Sequence, residues 1–185
     1  DLTIYKSIKK LKPGHIVDFD LDKCFETTPN VYRWWSYKDT IQKNDKLQLK
    51  SEEEAISKLE IVLKNAIKEC SISDVPIGCF LSGGIDSSLI AAILSKESSR
   101  KINTFTIGFE DKNYDESVDA KKVAEFLGTK HEEIILKPDE VLKIIPNLPS
   151  IYSEPFADPS QIPTSLICRE IKKKGIDVAL TGDGG

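Results

Sequence analysis

The sequence contains no methionine, and no apolar run approaches the ~18 residues that a membrane-spanning helix takes. No basic stretch leads into an apolar one near the start, so a signal peptide is not expected either. Histidine occurs only at His15 and His131, and cysteine only at Cys24, Cys70, Cys79 and Cys168, with no C-x-x-C pair. Those spacings argue against a zinc site. Cys70, Cys79 and Cys168 fall in apolar-periodic segments and are expected as small buried hydrophobes rather than disulfides. Such usage suits a reducing compartment and points to the cytoplasm. Basic charge does not dominate: the formal net charge is −4, which argues against a nucleic-acid partner or a membrane surface but not against phosphates bound locally. Repeats and low-complexity tracts are absent. Because methionine is missing and the last residues, Thr181-Gly182-Asp183-Gly184-Gly185, read as a functional loop, an excised piece of a longer protein is expected.

What is present is a globular composition, 39% hydrophobic against 30% charged, over a length that suits one domain and a fragment of another. Residues 1–37 carry two expected strands, His15 to Leu21 and Val31 to Tyr37, rich in β-branched and aromatic residues. Thr27 to Asn30 belongs to their connection, and residues 38–50 read as a polar linker. From Ser51 the period changes. Ala55, Ile56, Leu59, Val62, Leu63, Ala66, Ile67 and Cys70 recur at helical spacing behind a Ser51/Glu54 capping box. Strands at Pro76–Leu81, Asn103–Phe109, Lys130–Leu136 and Asp177–Thr181 then alternate with helices at Asp86–Lys96, Asp115–Leu127, Pro138–Ile145 and Pro163–Lys174. Gly128 and Gly175 stop two of those helices. The alternation predicts an α/β fold with a parallel twisted sheet flanked by helices over residues 51–185.

The segment Phe80-Leu81-Ser82-Gly83-Gly84-Ile85-Asp86-Ser87-Ser88 lies between an expected strand and an expected helix. A helix N-terminus there presents free N–H groups and the positive end of the dipole. Gly83 and Gly84 let backbone amides approach phosphate oxygens, and Ser82, Ser87 and Ser88 add hydroxyls. Asp86 fits if it holds a Mg²⁺ that bridges the phosphates. Ile85-Asp86 stands where a Walker A loop needs Lys-Ser/Thr, and the glycine spacing is not G-x-G-x-x-G. Each of these residues taken singly reads equally well as a cap or a turn.

The S-G-G-x-D-S pattern of Ser82 to Ser87 resembles the pyrophosphate loop of the ATP-pyrophosphatase families. Thr104 to Phe109, Tyr114 to Ser117 with Gly128 to His131, and Thr181 to Gly184 resemble the asparagine synthetase branch. The resemblance implies the adenine nucleotide alpha hydrolase-like fold, ATP and Mg²⁺ as cofactors, and ATP-dependent amide formation through an acyl-adenylate. Aspartate is the default acceptor, with nitrogen from glutamine or ammonia. It implies pyrophosphate contacts at Ser82, Gly83, Gly84, Asp86, Ser87 and Ser88, and nucleotide contacts at Leu81, Ile107, Thr181 and Gly182. Asp183 is implied as the carboxylate that handles the ammonia proton. Glu154 and Asp158 are read as substrate-side candidates, with capping or turn roles as the alternative, and Asp115 as a helix cap. Residues 1–37 resemble the end of a glutaminase domain of the same parent chain, without the N-terminal cysteine that hydrolyses glutamine. The piece alone is expected to be inactive, and a homodimer is possible.

One departure stands out. The stretch Glu154 to Thr164 resembles the family's substrate-side loop between the third and fourth strands, but it lacks the arginine found in the longer loop of enzymes dedicated to aspartate, and Arg169 lies farther on. The alternatives are therefore an adenylate-forming synthetase acting on another carboxylate, as β-lactam synthetases do, and a non-catalytic nucleotide-binding module. In a sheet ordered third-second-first-fourth, the two glycine-bearing loops meet at the switch point.

Overall fold

The computed structural model describes residues 2–23, 28–44, 49–109, 115–155 and 157–183. The chain divides into two compact units, residues 1–55 and 56–185.

In the first unit, β1 (His15–Asp18) pairs antiparallel with β2 (Asn30–Arg33), with Ile16 opposite Tyr32 and Val17 opposite Val31. Both strands are shorter than their apolar runs suggested, and Thr27 lies outside the described residues. Trp34 and Trp35 both donate their N–H groups to the Gly14 carbonyl, at 3.0 and 3.2 Å, which closes the ribbon. The stretch read as a linker holds a helix, α1 (Tyr37–Asn44). Local chemistry rather than an apolar stripe forms it. Asp39 N–H donates to Ser36 Oγ at 3.3 Å, Asp39 and Lys43 suit the two dipole ends, and Arg33 pairs with Asp39 at 2.8 Å. Ser51 starts α2 (Glu52–Cys70) as expected: its Oγ accepts Glu54 N–H at 3.2 Å, while Glu54 Oε2 accepts Lys50 N–H at 2.8 Å.

The second unit is built on four parallel strands: β3 (Ile77–Phe80), β4 (Asn103–Phe109), β5 (Lys130–Leu136) and β6 (Val178–Leu180). Their order is β5-β4-β3-β6, third-second-first-fourth as anticipated. The crossovers carry α3 (Ile85–Glu97), α4 (Ser117–Leu127), α5 (Pro138–Ile144) and α7 (Gln161–Lys173). A 3₁₀ turn (Ile145–Asn147) and a single turn, α6 (Leu148–Ile151), were not anticipated. The prolines at 146 and 149 fit because each stands near the start of its turn, where an N–H has no partner to lose.

Strand periodicity sorts the core onto two faces. Cys79 and Leu81 pack with Ile67, Ala91, Leu94, Ala120 and Ala124 on one side. Phe80, Phe105 and Ile107 pack with Ile167, Ile171 and Ile176 on the other. Burying Phe105 contributes roughly 2–3 kcal/mol. Cys79 is fully buried, and burial pushes its thiol up to about 11, which makes it inert. Cys70 and Cys168, expected inside, are exposed: each falls on a helix face turned from the core, where periodicity alone could not choose the side. Among the described residues no helix is long and apolar enough to cross a membrane.

Candidate functional site

β3 ends where Leu81 N–H donates to Phe105 O at 2.8 Å, so pairing with β4 continues to the edge of the following loop. Leu81 itself is 1% exposed and belongs to the core, yet its edge reaches the cavity described below. The chain then turns through Gly83 at φ +81°. A Cβ at Gly83 would lie 2.8 Å from Ala120 N and 2.9 Å from Asp119 Cβ, so the loop is pressed against the start of α4. Only glycine satisfies both the conformation and the space.

Ser87 organises the loop from beneath. Its Oγ accepts Ser82 N–H at 3.1 Å, lies 2.8 Å from Ser82 Oγ and donates to Gly84 O at 3.3 Å. Gly84 N–H in turn donates to Ser82 Oγ at 3.3 Å. Ser87 is only 7% exposed, so its hydroxyl is committed to loop shape. Gly84 is the N-cap of α3 and no side chain caps it, which leaves the helix N-terminus open to an anion.

The loop after β6 meets this one. A Cβ at Gly182 would lie 2.9 Å from Ser87 N, so the two loops touch backbone to backbone. Thr181 Oγ1 accepts Asp183 N–H at 3.2 Å and lies 3.1 Å from Asp183 Oδ2, a local turn that presents the Asp183 carboxylate outward.

Beside the meeting point opens a cavity of about 1050 Å³, at the upper end of small-molecule sites. Ser82, Gly84, Asp86, Ser87, Thr181, Gly182 and Asp183 form its mouth, and Leu81 and Ile107 its sheet side. Gly83 supports the loop from outside the lining, and Ser88 is also outside it, with its Oγ buried and unpartnered. Glu154 and Asp158 do not line the cavity either. Asp158 Oδ1 accepts Ser160 N–H at 2.8 Å, and hydrogen bonds from the Ser160 side chain first and its backbone second hold the Asp158 carboxyl below the usual range. Asp115 likewise accepts Ser117 N–H at 3.1 Å ahead of α4.

The sequence reading missed Phe105, Glu116, Leu136, Val141, Pro159 and Thr164, all of which line the cavity. A signal existed for some of them. The alternation of β4 turns Phe105, Ile107 and Phe109 to one face, and Ser160 and Thr164 stand one helical turn apart. Arg169 reaches Glu170 at 3.1 Å and Glu140 at 3.8 Å, not the cavity. Asp86, Glu116 and Asp183 are the charged side chains of the described lining, which holds no Lys, Arg or His.

The residues present fit Mg²⁺ with phosphate. The uncapped α3 N-terminus and the side-chain-free glycines form a cradle that a Cβ would fill. Asp86 and Asp183 offer hard oxygen ligands of the kind Mg²⁺ takes one or two at a time beside phosphate and water. Among the described residues no group of three His, Cys, Asp or Glu would enclose a metal without such help.

A parallel sheet whose glycine-bearing loops converge where the strand order reverses defines the class of α/β proteins that bind ligands at a topological switch point. The family model for asparagine synthase matches residues 58–185, and the chain belongs to that family. Over 184 residues it is 36% identical to a putative asparagine synthetase [glutamine-hydrolyzing] 2 of Methanocaldococcus jannaschii, covering 99% of this chain and 34% of that protein. It is 31% identical to asparagine synthetase [glutamine-hydrolyzing] 1 of Bacillus subtilis, covering 98% of this chain and 27% of that protein. The chain thus spans about a third or less of these curated relatives. Among solved structures, an NH3-dependent NAD synthetase from Campylobacter jejuni aligns at a TM-score of 0.43 with 16% identity, covering 65% of this chain and 53% of that one.

Proposed function

We propose that this chain is the nucleotide-binding part of an ATP-dependent amide-forming ligase, with aspartate as its default acceptor and asparagine as product. The observation that carries this reading is the backbone contact of Gly182 on Ser87, which holds an open helix N-terminus and the Asp183 carboxylate at one cavity mouth. An acceptor carboxylate oxygen attacks the α-phosphorus of ATP, and the bond to the β-phosphate bridging oxygen breaks to release pyrophosphate. Ser82, Gly84 and the first turn of α3 hold that leaving group, where negative charge collects. Ammonia, free or drawn from glutamine, then attacks the acyl carbon, AMP departs, and Asp183 takes the proton lost from nitrogen. Asp86, with Asp183 nearby, would hold Mg²⁺, which would supply the charge neutralisation needed where two carboxylates face phosphates. Residues 1–37 are read as the end of a glutaminase domain in the same polypeptide, 38–50 as its linker to the synthetase domain, and the cytoplasm as the site of action.

A second reading keeps the chemistry and changes the acceptor. Arg169 is tied to Glu170 and Glu140, and the described lining offers no cation, so a second acceptor carboxylate has no counter-ion there. That favours an acceptor with a single carboxylate.

Pyrophosphate release by the natural polypeptide that carries this chain, given ATP, Mg²⁺, ammonia and a panel of carboxylates led by aspartate, tests both. Aspartate-dependent release abolished by Asp86→Ala supports the first reading. Release only with another acid selects the second, and no release with any acid sinks both.

A further inference from the structure

We propose that Tyr152 is a positioning residue, whose phenol latches the connection between α6 and α7 so that Pro159, Ser160, Pro163 and Thr164 stand as the acceptor-facing wall of the cavity. The inference rests on the ligase reading above.

Both ends of the Tyr152 residue are anchored. Its N–H donates to Leu148 O at 2.9 Å, which fixes the backbone to α6. Its Oη donates to Gln161 O at 3.1 Å and lies 3.2 Å from Ser165 Oγ, in the first turns of α7. Ser165 Oγ donates to the same Gln161 carbonyl at 2.7 Å. One side chain therefore joins the start of the connection to the helix that follows it.

The turn at the head of α7 has local bonds of its own, so the Tyr152 phenol sets where that turn stands against α6 rather than its shape. Asp158 Oδ1 accepts Ser160 N–H at 2.8 Å, and Asp158 O accepts Gln161 N–H at 3.2 Å. Loss of the Tyr152 hydroxyl thus lets the head of α7, with its wall residues, shift against α6 without unfolding α7. Pro159 and Ser160 just ahead of α7, with Pro163 and Thr164 in its first turn, offer the cavity two rigid rings and two hydroxyls. This wall is uncharged and hydroxyl-bearing. It is distinct from the glycine-built mouth assigned to the phosphates and from Leu81 and Ile107, assigned to the base. The resemblance of Glu154 to Thr164 to a substrate-side loop implies that the acceptor is placed against this wall.

Tyr152→Phe in the natural polypeptide removes the hydroxyl and keeps the ring. It is expected to raise the acceptor KM about fivefold, as the loss of one ordering hydrogen bond implies, with kcat and the KM for ATP within about twofold of the parent. Hydrogen exchange at Ala157 and Ser160 is expected to quicken in the same variant. Ser165→Ala, which keeps the bond to Gln161, is expected to shift the acceptor KM in the same direction but less, and serves if Tyr152→Phe does not fold. The proposal is overturned by an unchanged acceptor KM, by a parallel rise in the KM for ATP, or by unchanged exchange. It is also overturned if Tyr152→Leu is impaired while Tyr152→Phe behaves as the parent, since the ring alone would then matter. A parent inactive with every carboxylate fails the ligase reading first. Quickened exchange in that case keeps the bond as geometry and removes its role toward an acceptor.

Discussion

At its mouth the cavity is held by backbone against backbone, at Gly83 on Ala120 and Gly182 on Ser87; at α7 it is held by hydroxyls, from Tyr152 through Ser165 to a carbonyl. A contact that tolerates no Cβ fixes position to within tenths of an ångström and is lost wholesale on substitution. A hydroxyl bridge is lost in increments and adapts to what it holds. On the proposed ligase reading, the first suits the leaving group and the second suits the acceptor.

The largest expected effect is chemical and lies at the mouth. Asp183→Asn keeps the shape of the turn but removes the proposed base, and pyrophosphate-coupled amide formation is expected to fall by about 10²–10⁴-fold. A fall below tenfold would break the comparison by taking the mouth out of the chemistry.

Next come the glycines. Gly83→Ala combines a strained φ of +81° with the approach to Ala120 N, and is expected to cost about 3 kcal/mol in urea unfolding. Gly128→Ala, at φ +67° with nothing within 4 Å, is expected to cost about 1 kcal/mol from conformation alone. Equal costs would show that close approach does not fix the mouth. Ser87→Ala deprives Ser82 N–H of its acceptor and is expected to cost about 1–2 kcal/mol, read in the same assay.

The smallest effect lies at the far end of the strands. His131 Nδ1 is 3.0 Å from Thr104 Oγ1, its Nε2 is buried without a partner, and burial holds its pKa below the ordinary 6.5 against an upward pull from Glu133. The folded chain thus prefers neutral His131. Its contribution to stability is whole above 6.5 and is lost as pH falls through the window beneath that value. The thermal midpoint is expected to be lower at about pH 5.5 than at about pH 7.5, with a smaller difference in His131→Gln. An undiminished difference would take the acid sensitivity away from His131.

How much of this was legible beforehand follows the range of the interactions. The strands β4 and β5 were read with their bounds, because a run of β-branched and aromatic residues between breakers is a local pattern. The mouth was legible because Ser82 to Ser88 concentrates its unusual residues in one segment. The sequence could not reveal that Ser82 and Ser87 bond to each other and both line the cavity, nor that the Ser88 hydroxyl turns inward, outside that lining. Helix phase decides those roles. The helix α1 escaped notice because capping and charge at its ends form it, not an apolar stripe.

The sequence by itself determined the alternation of strand and helix and the glycine-bearing turns, since these depend on neighbours within a few residues. Only the tertiary structure decided that Gly182 rests on Ser87, that Glu116 and Thr164 face the same cavity, and that Tyr152 bonds across to α7. Those contacts join residues brought together by packing around a shared core, and no local periodicity carries information about distance through space.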